Sequence, residues 1–569
     1  MDAARWVRRP LVLAAAAVVL PLFVTAVVLL VDGRGADHPN ADQALIELQT
    51  KDVGSHAVLV GPYSRLGWNH PGPALYYLLA VPYRLAGGNP AGLAVGALVI
   101  NGAAVVGMLV LARRRGGTPL LVATVLVLVV LMQALGAGFL ADYWNPYITV
   151  LPFGLLVFLA WSMISGEVWA LPAAVAVGSF LVQSHLGYAV VVAVLVGGGA
   201  AALALRWRGA RGALARLGPS AAVALAVLVV LWLPPILQEL SDRPSNIDAM
   251  TRFSEEDHDS QALGDGGRAV AGQLSLAPEW VRGERRLGGF TTGQADLRLR
   301  PADVAGVVVV AAGWLVIAWR GDPAARRFQL VLAAAMAAAV VSVWRVVDVL
   351  YPYLIRWLWI LGALSGALVL WGLWTALSPA VRARRARWAG AAVLVAVATT
   401  TAVNTAAAAT VTWPRDQEPG FLVDLSRPVV DAVRGQEPVL VRGEGGLGTI
   451  VYVSGIVAEL ERAGIDARVR RSVGYVYGYH RVLRDEGEAG AVLHVVDGLR
   501  ADELAAMGGY HVVARAGTGS EAVRAEFRRG MAELRRRRAA GRLTDRQFID
   551  GLIRLPHVPV DLAVVAEDR

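Results

Sequence analysis

Apolar residues recur along the chain in runs of about 20, the length at which a helix rising ~1.5 Å per residue crosses the ~30 Å hydrocarbon core of a bilayer. Applied from end to end, this rule predicts eleven spans, near 11–31, 90–112, 118–137, 147–165, 170–183, 187–205, 219–237, 302–319, 328–348, 357–377 and 389–411. The region 170–205 is the least regular, because Gln183-Ser184-His185-Leu186-Gly187 interrupts it. Three long stretches keep a mixed pattern: 32–89, 238–301 and the tail 412–569. Within the first, the aromatic-rich run 74–86 is too short to span and is broken by Pro82, so it reads as a helix lying in the interface or partly re-entrant.

The pattern changes after the last span. Pro414-Arg415-Asp416-Gln417-Glu418-Pro419 reads as a linker. Beyond it, 439–442, 467–469, 492–496 and 510–513 read as strands, alternating with helices at 456–462 and 501–507, which implies a small parallel α/β domain. Residues 520–554 read as helical and strongly basic, with Arg535-Arg536-Arg537-Arg538, a pattern that fits a solvated face. Gly443-Glu444-Gly445-Gly446-Leu447-Gly448 follows a strand and opens a helix, as phosphate-cradling loops do. It lacks the Lys-Ser/Thr ending of a nucleotide loop and reads as a tight strand–helix turn. Two domains are therefore predicted: a transmembrane unit over 1–411 and an α/β unit with basic C-terminal helices over 412–569.

Charge orients this arrangement. With a cytoplasmic N-terminus, the cytoplasmic loops carry Arg113, Arg114 and Arg115; Arg206, Arg208, Arg211 and Arg216; Arg320, Arg326 and Arg327; and Arg382, Arg384, Arg385 and Arg387. Only the loop around Glu167 lacks a basic residue, and the short outer loops hold a single arginine, Arg356. Eleven spans then put 32–89, 238–301 and the tail outside. Arg5, Arg8 and Arg9 precede a first run that is long for a signal peptide and lacks a convincing small-residue cleavage site, so it reads as a retained span.

Composition agrees. The 569 residues are 56% hydrophobic and 17% charged, with mean hydropathy +0.51, which points to a multi-pass membrane protein. A net charge of +9 and pI near 10.0 would suggest nucleic acid in a soluble chain; here the basic residues flank spans, and no nucleic-acid partner is expected. Lys51 is the sole lysine beside 53 arginines, and with abundant Ala, Val and Gly this suggests a GC-rich bacterial genome and a bacterial plasma membrane. The absence of cysteine excludes disulfides, thiolate nucleophiles and thiolate metal sites.

Candidate chemistry gathers on the outer side. Asp37-His38-Pro39-Asn40-Ala41-Asp42-Gln43 opens a helix just beyond the first span, with Asn40 as N-cap, Gln43 completing a capping box and Asp42 in the first turn, where free N–H groups favour a carboxylate. The turn Arg65-Leu66-Gly67-Trp68-Asn69-His70-Pro71-Gly72-Pro73, stiffened by its prolines, holds Arg65, Asn69 and His70 where a lipid phosphate would lie, with Trp68, Tyr76 and Tyr77 at headgroup level. Further polar groups sit mid-span at Asn101 and in outer turns: Asp142, Trp144, Asn145 and Pro146; Gln183, Ser184, His185 and Tyr188; Tyr351, Tyr353 and Arg356. Singly each fits a satisfied turn or helix contact; together they suggest a polar crevice facing Asp42. The acidic run Glu255-Glu256-Asp257-His258-Asp259 reads as a solvated loop that leaves divalent-metal binding open.

This layout resembles the GT-C class of membrane glycosyltransferases, which includes the protein O-mannosyltransferases and the lipid A aminoarabinose transferase. The likeness covers roughly 1–411: an N-terminal span, a first outer loop whose acid opens a helix, His70-Pro71-Gly72-Pro73 leading into an interfacial helix, an Asn145-Pro146 turn before a later span, and a soluble tail. Family members commonly carry Asp-Glu or Asp-Asp at the catalytic position; here it is Asp42-Gln43, which leaves the second carboxylate unassigned. The resemblance implies a polyprenyl-phosphate sugar donor and an acceptor outside the membrane, be it glycan, lipid or protein. It implies Asp42 as general base, Arg356, Arg65 and His70 as donor-phosphate ligands, and Asn69, Tyr76, Asn145, Gln183, His185 and Tyr353 on the substrate side. No cofactor is expected to be required. Two other readings compete: a lipid or polysaccharide transporter or flippase, against which the sequence shows no internal repeat, and a non-catalytic cell-envelope assembly protein, for which Asp42 would be dispensable.

Overall fold

The computed structural model describes residues 3–32, 38–209, 212–241, 244–283, 294–411, 421–444, 447–517, 520–544, 547–548, 551 and 561–568. Asp37, the linker 414–419 and Gly445–Gly446 lie outside the described residues.

Among the described residues nine helices are long and apolar enough to cross a membrane: Pro10–Val31, Ala91–Leu135, Asn145–Ile164, Leu186–Trp207, Ala215–Ser241, Pro301–Arg320, Pro323–Trp344, Pro352–Ala376 and Pro379–Ala409. Ala91–Leu135 is 45 residues long, about 68 Å at helical rise, which is twice what a bilayer accommodates. It turns at Gly117, whose φ of 68° and ψ of −162° suit glycine, just after Arg113–Arg115 and before Pro119, and so accounts for two predicted spans. Ala170–Ser184, 15 residues, supplies the remaining short one. Each of the eleven predicted spans thus falls on a helix. The loop around Glu167, bare of basic residues in sequence, borrows its charge in space: Glu167 pairs with Arg114 at 3.3 Å and Arg115 at 3.0 Å.

Helix α1 (Ala3–Asp32) packs against both Ala91–Leu135 and Pro379–Ala409. The bundle interior is aromatic, with Trp161, Trp359, Phe153, Phe158 and Phe328 fully buried. Asn101 donates its amide to Leu140 O at 2.9 Å, and Asn404 donates to Val129 O at 3.0 Å, so these are helix–helix contacts.

In the first outer loop α2 (Ala41–Asp52) and α3 (Ala74–Leu85) are the regular elements. Pro82 does not break α3, which continues three residues past it; Pro82 Cγ packs near Gly96 of the following helix. The loop 238–301 is more ordered than its polarity suggested, with helices Asn246–Glu255 and Leu263–Gln273.

Among the described residues the tail carries five strands, β1 (Val439–Gly443), β2 (Ala467–Arg468), β3 (Ala491–Asp497), β4 (Tyr510–Gly517) and β5 (Asp561–Glu567), in the order β2-β1-β3-β5-β4. β1 runs parallel to β2 and β3, but β5 is antiparallel to both β3 and β4, so the sheet is mixed rather than parallel. The sequence did not announce β5: Leu562–Ala566 are all buried, and a central strand covered on both faces is a plain apolar run without alternation.

The two units share α2. Its Ala44, Leu45 and Leu48 belong to the tail's hydrophobic core, whereas Ile46, on the opposite face, belongs to the bundle's. Each leucine so buried stabilises the contact by about 1.5–3 kcal/mol. Polar clamps reinforce it: Arg481 donates to both Asp52 oxygens at 2.6 and 2.8 Å, Lys51 meets Glu461 at 3.0 Å, and Gln49 donates to Val476 O at 3.2 Å.

Candidate active site

The site is built at the start of α2. Asn40 is extended (φ −128°, ψ 176°) and occupies the N-cap position, but its side chain makes no capping bond, and the predicted capping box does not form. Gln43 is drawn elsewhere: its amide donates to Asp142 Oδ1 at 3.0 Å and Oδ2 at 3.3 Å, both residues being buried. A pair of bonds to a buried carboxylate outweighs one to a backbone N–H that water can reach. Between Asn40 and Asp42, Ala41 adopts φ 48°, a left-handed conformation that costs a residue with a Cβ on the order of 1–3 kcal/mol and concentrates at functional sites.

Asp42 then projects from the first turn, and Trp144 Nε1 donates to its Oδ2 at 2.7 Å. The position of Trp144 follows from its local chain. Gly136 (φ 83°) ends the long helix, Asp142 is extended, and Asn145-Pro146 opens the next helix with proline in its first turn. Asp142 Oδ1 also accepts the Trp144 backbone N–H at 2.9 Å. One residue therefore serves two carboxylates, Asp42 through its indole and Asp142 through its backbone.

Asp42 lines a small, shallow cleft with Leu45, Ile46, Pro62, Tyr63, Tyr76 and Asn145. Burial, then Tyr475 and the Asp42 charge, raise the Tyr63 phenol above its usual range; burial, then Asp42 and Asp52, do the same for Tyr76. Both stay neutral O–H donors beside the carboxylate. Asn145 also donates to Ser184 O at 2.9 Å, which ties the cleft to the 183–187 turn.

From Trp144 a line of ring contacts leads outward. Tyr353 packs on the indole (4.7 Å between centroids), Tyr351 stacks on Tyr353 (5.6 Å), and Arg65 lies over Tyr351 (4.9 Å) while donating to Val347 O and Val349 O at 3.1 Å each. Arg65 is exposed, whereas Arg356 is buried with its guanidinium 4.3 Å from the Trp359 ring. A second group joins the 65–73 turn to the 185–187 turn. His70 and His185 stack at 5.1 Å; Leu186 N donates to His70 Nδ1 at 3.2 Å and Gly187 N to His185 Nδ1 at 3.1 Å. Burial, then His185, holds the His70 imidazole well below its usual range, and burial pushes His185 down to about 4. Both rings are neutral at physiological pH, so His70 can offer a phosphate an N–H but no charge.

Of the ten residues singled out from sequence, Asp42, Tyr76 and Asn145 line one cleft. Tyr353 and Arg65 reach it through Trp144 and Tyr351. Arg356, His70 and His185 are not among its lining residues. Asn69 and Gln183 are engaged in holding the loop. Asn69 Nδ2 donates to Tyr475 O at 3.0 Å, and Asn69 exchanges two bonds with Asn246; Gln183 accepts from Ala74 N at 3.2 Å and donates to Leu231 O at 2.7 Å. Sequence reasoning did not single out Tyr63 or the partnership of Asp142 with Gln43, because each depends on contacts between distant segments; the aromatic next to the Gly61-Pro62 turn was the one available signal for Tyr63.

Among the described residues, Asp52, His56 and His480 place ligand atoms within 4.8 Å of one another. The two rings lie face to face at 3.8 Å, so their in-plane lone pairs do not converge on one point. Burial works against ionisation of Asp52, yet His480 and Arg481 hold its carboxyl below the usual range. Asp52 with Arg481 is a charged clamp between α2 and the tail. The acidic run 255–259 forms no such group among the described residues.

No protein-family model matches the chain, and no curated protein sequence matches it. The structure is similar to the crystal structure of ArnT from Cupriavidus metallidurans in the apo state, with TM-score 0.53 and 14% identity, over 90% of this chain and 97% of that chain. Coverage of that extent requires the tail as well as the membrane helices. The chain shares that protein's fold: a polytopic bundle of apolar helices with a C-terminal sheet-containing unit.

Proposed function

We propose that this chain is a glycosyltransferase of the plasma membrane that moves a sugar from a polyprenyl-phosphate donor to an acceptor on the outer face, with Asp42 as general base. The observation that carries this reading is the geometry at the head of α2: a carboxylate fixed by Trp144, preceded by a strained residue, lining a cleft with two neutral phenols. The GT-C-like fold supports it. Asp42 takes the proton of the acceptor hydroxyl as that oxygen attacks the anomeric carbon; the bond from that carbon to the lipid phosphate oxygen breaks, and the phosphate leaves as an anion. A phosphate leaving group needs cationic stabilisation rather than an acid, and a guanidinium supplies it with forked donors. Arg65 and Arg356 are the cations assigned to this role, since the neutral imidazoles supply no charge. The N-terminus is cytoplasmic and the tail extracytoplasmic in this reading, which the pairing of Glu167 with Arg114 and Arg115 on one side supports.

The test is transfer in membranes supplied with labelled polyprenyl-phosphate arabinofuranose, mannose and glucose in parallel, with and without EDTA. One donor is expected to turn over, and Asp42→Asn to lower its kcat by about 10²–10⁴ while membrane insertion is retained. Turnover by Asp42→Asn at the wild-type rate would remove Asp42 as base. The chain has no cysteine, so single cysteines placed in the tail and labelled from outside read its sidedness directly.

A further inference from the structure

The chain that leads into Asp42 runs along the tail helix Leu447–Arg462. His38 Nδ1 meets Glu459 Oε1 at 2.7 Å. Pro39 O faces Gly455 so closely that a Cβ there would come within 3.2 Å of it, and within 2.8 Å of Leu422 Cδ2. Ser454 Oγ donates to Ala41 O at 3.1 Å, both groups buried. That carbonyl belongs to the peptide entering Asp42, so whatever fixes it fixes the plane from which the Asp42 side chain departs. It also belongs to Ala41, whose left-handed φ of 48° is disfavoured by its own Cβ. Such a conformation persists only where the surroundings over-determine it.

We propose that the C-terminal unit sets the working position of Asp42, with Ser454 as the positioning residue; this rests on the reading of Asp42 as the base. The carboxylate is held from the membrane side by Trp144 and its backbone from the tail side by Ser454. Without the Ser454 hydroxyl, Ala41 relaxes toward negative φ, the peptide rotates, and Asp42 leaves the Trp144 indole. The guanidinium groups of Arg65 and Arg356 stay in place. The tail thereby acts on the rate of the chemical step and not on donor binding.

The experiment compares full-length Ser454→Ala, the double variant Ala41→Gly/Ser454→Ala, Lys51→Ala and Asp42→Asn at matched amounts of membrane-inserted protein, in the donor-transfer assay. Ser454→Ala is expected to lower kcat by about 10- to 100-fold, as sub-ångström misplacement of a reacting group does, with the donor KM within about two-fold. Glycine at 41 adopts a positive φ at no steric cost, so the double variant recovers most of the loss. Lys51→Ala cuts a tail contact at the far end of the same helix and keeps the wild-type kcat. Wild-type kcat in Ser454→Ala, a loss that Ala41→Gly does not relieve, or an equal loss in Lys51→Ala would each overturn the positioning role. Asp42→Asn separates the two layers. If it turns over normally, the base assignment itself fails; if it is inactive while Ser454→Ala is unaffected, only the positioning role fails.

Discussion

With Asp42 as the proposed base, Trp144→Phe isolates what orients it. Phenylalanine keeps an aromatic ring against Tyr353 and Tyr147, which lie 4.7 and 4.9 Å from the indole, and deletes the N–H that bonds Asp42 at 2.7 Å. Two effects of opposite sign follow. A hydrogen bond to a charged group contributes about 1.5–3 kcal/mol, and its loss leaves a less stabilised and more basic carboxylate. If roughly half of that free energy appears in the proton-transfer step, as Brønsted behaviour suggests, the gain is about 3- to 13-fold. Against it stands the loss of aim: a displacement of about 1 Å costs on the order of 10²-fold. Aim outweighs basicity, and kcat is expected to fall about 10- to 30-fold with little change in donor KM. The assay is initial rate against donor concentration, with the same substitution repeated on Asp42→Asn. There Trp144→Phe should change nothing further, because the group it orients no longer acts. An unchanged or raised kcat in the single variant, or additive losses in the double, would refute the claim that the indole aims the base.

Gln43→Glu places a second carboxylate about 3 Å from buried Asp142, where both cannot ionise, so the melting temperature in detergent should fall at pH 7.5 and recover as pH drops; adding Asp142→Asn should restore it at neutral pH. Glu47 titrates differently in the folded chain: burial, opposed by Arg462 and Tyr83, pushes its carboxyl from 4.5 up to about 7. Its folded pKa is raised, so the unfolded chain loses the proton first and stability falls as pH rises from about 4.5 to about 7, by at most about 3 kcal/mol. Glu47→Gln keeps an acceptor for Tyr83 and removes the titration; its melting temperature should exceed the wild type's at pH 8 and match it near pH 4.5, and parallel profiles would sink the assignment. Gly61→Ala puts a Cβ 2.5 Å from the carbonyl oxygens of both Gln183 and Gly72, backbone atoms that cannot swing aside; a loss of about 1–3 kcal/mol or more in stability is expected, and a neutral substitution would mean that this crossing is looser than its geometry.

The membrane helices were legible because one physical requirement, enough apolar residues to cross a bilayer, writes itself locally along the chain. Gly117 and its arginine-flanked turn even marked where one continuous helix becomes two crossings. The first four strands of the tail were legible for the same local reason. β5 was not, since a strand covered on both faces carries no alternation and its partners lie far off in sequence. Asp42 stood out by position, at a helix start just beyond a span. Its surroundings are written in pairings across 102 residues to Trp144 and, for the carbonyl before it, across 413 residues to Ser454, which no local pattern encodes.

Gln43 shows why the distinction matters for chemistry. Read along the chain, it is a missing acid beside Asp42. In space a carboxylate is there nonetheless, supplied by Asp142 and fixed between the Gln43 amide and the Trp144 backbone N–H. An amide facing a carboxylate keeps a hydrogen bond that two ionised acids would lose, and it does so with one negative charge fewer next to Asp42. Asp142 is buried at 4% exposure and accepts from both of these donors, a placement that holds Trp144. The apparent departure at position 43 therefore gives the two carboxylates different roles. Asp142 aims the indole, and the indole aims Asp42.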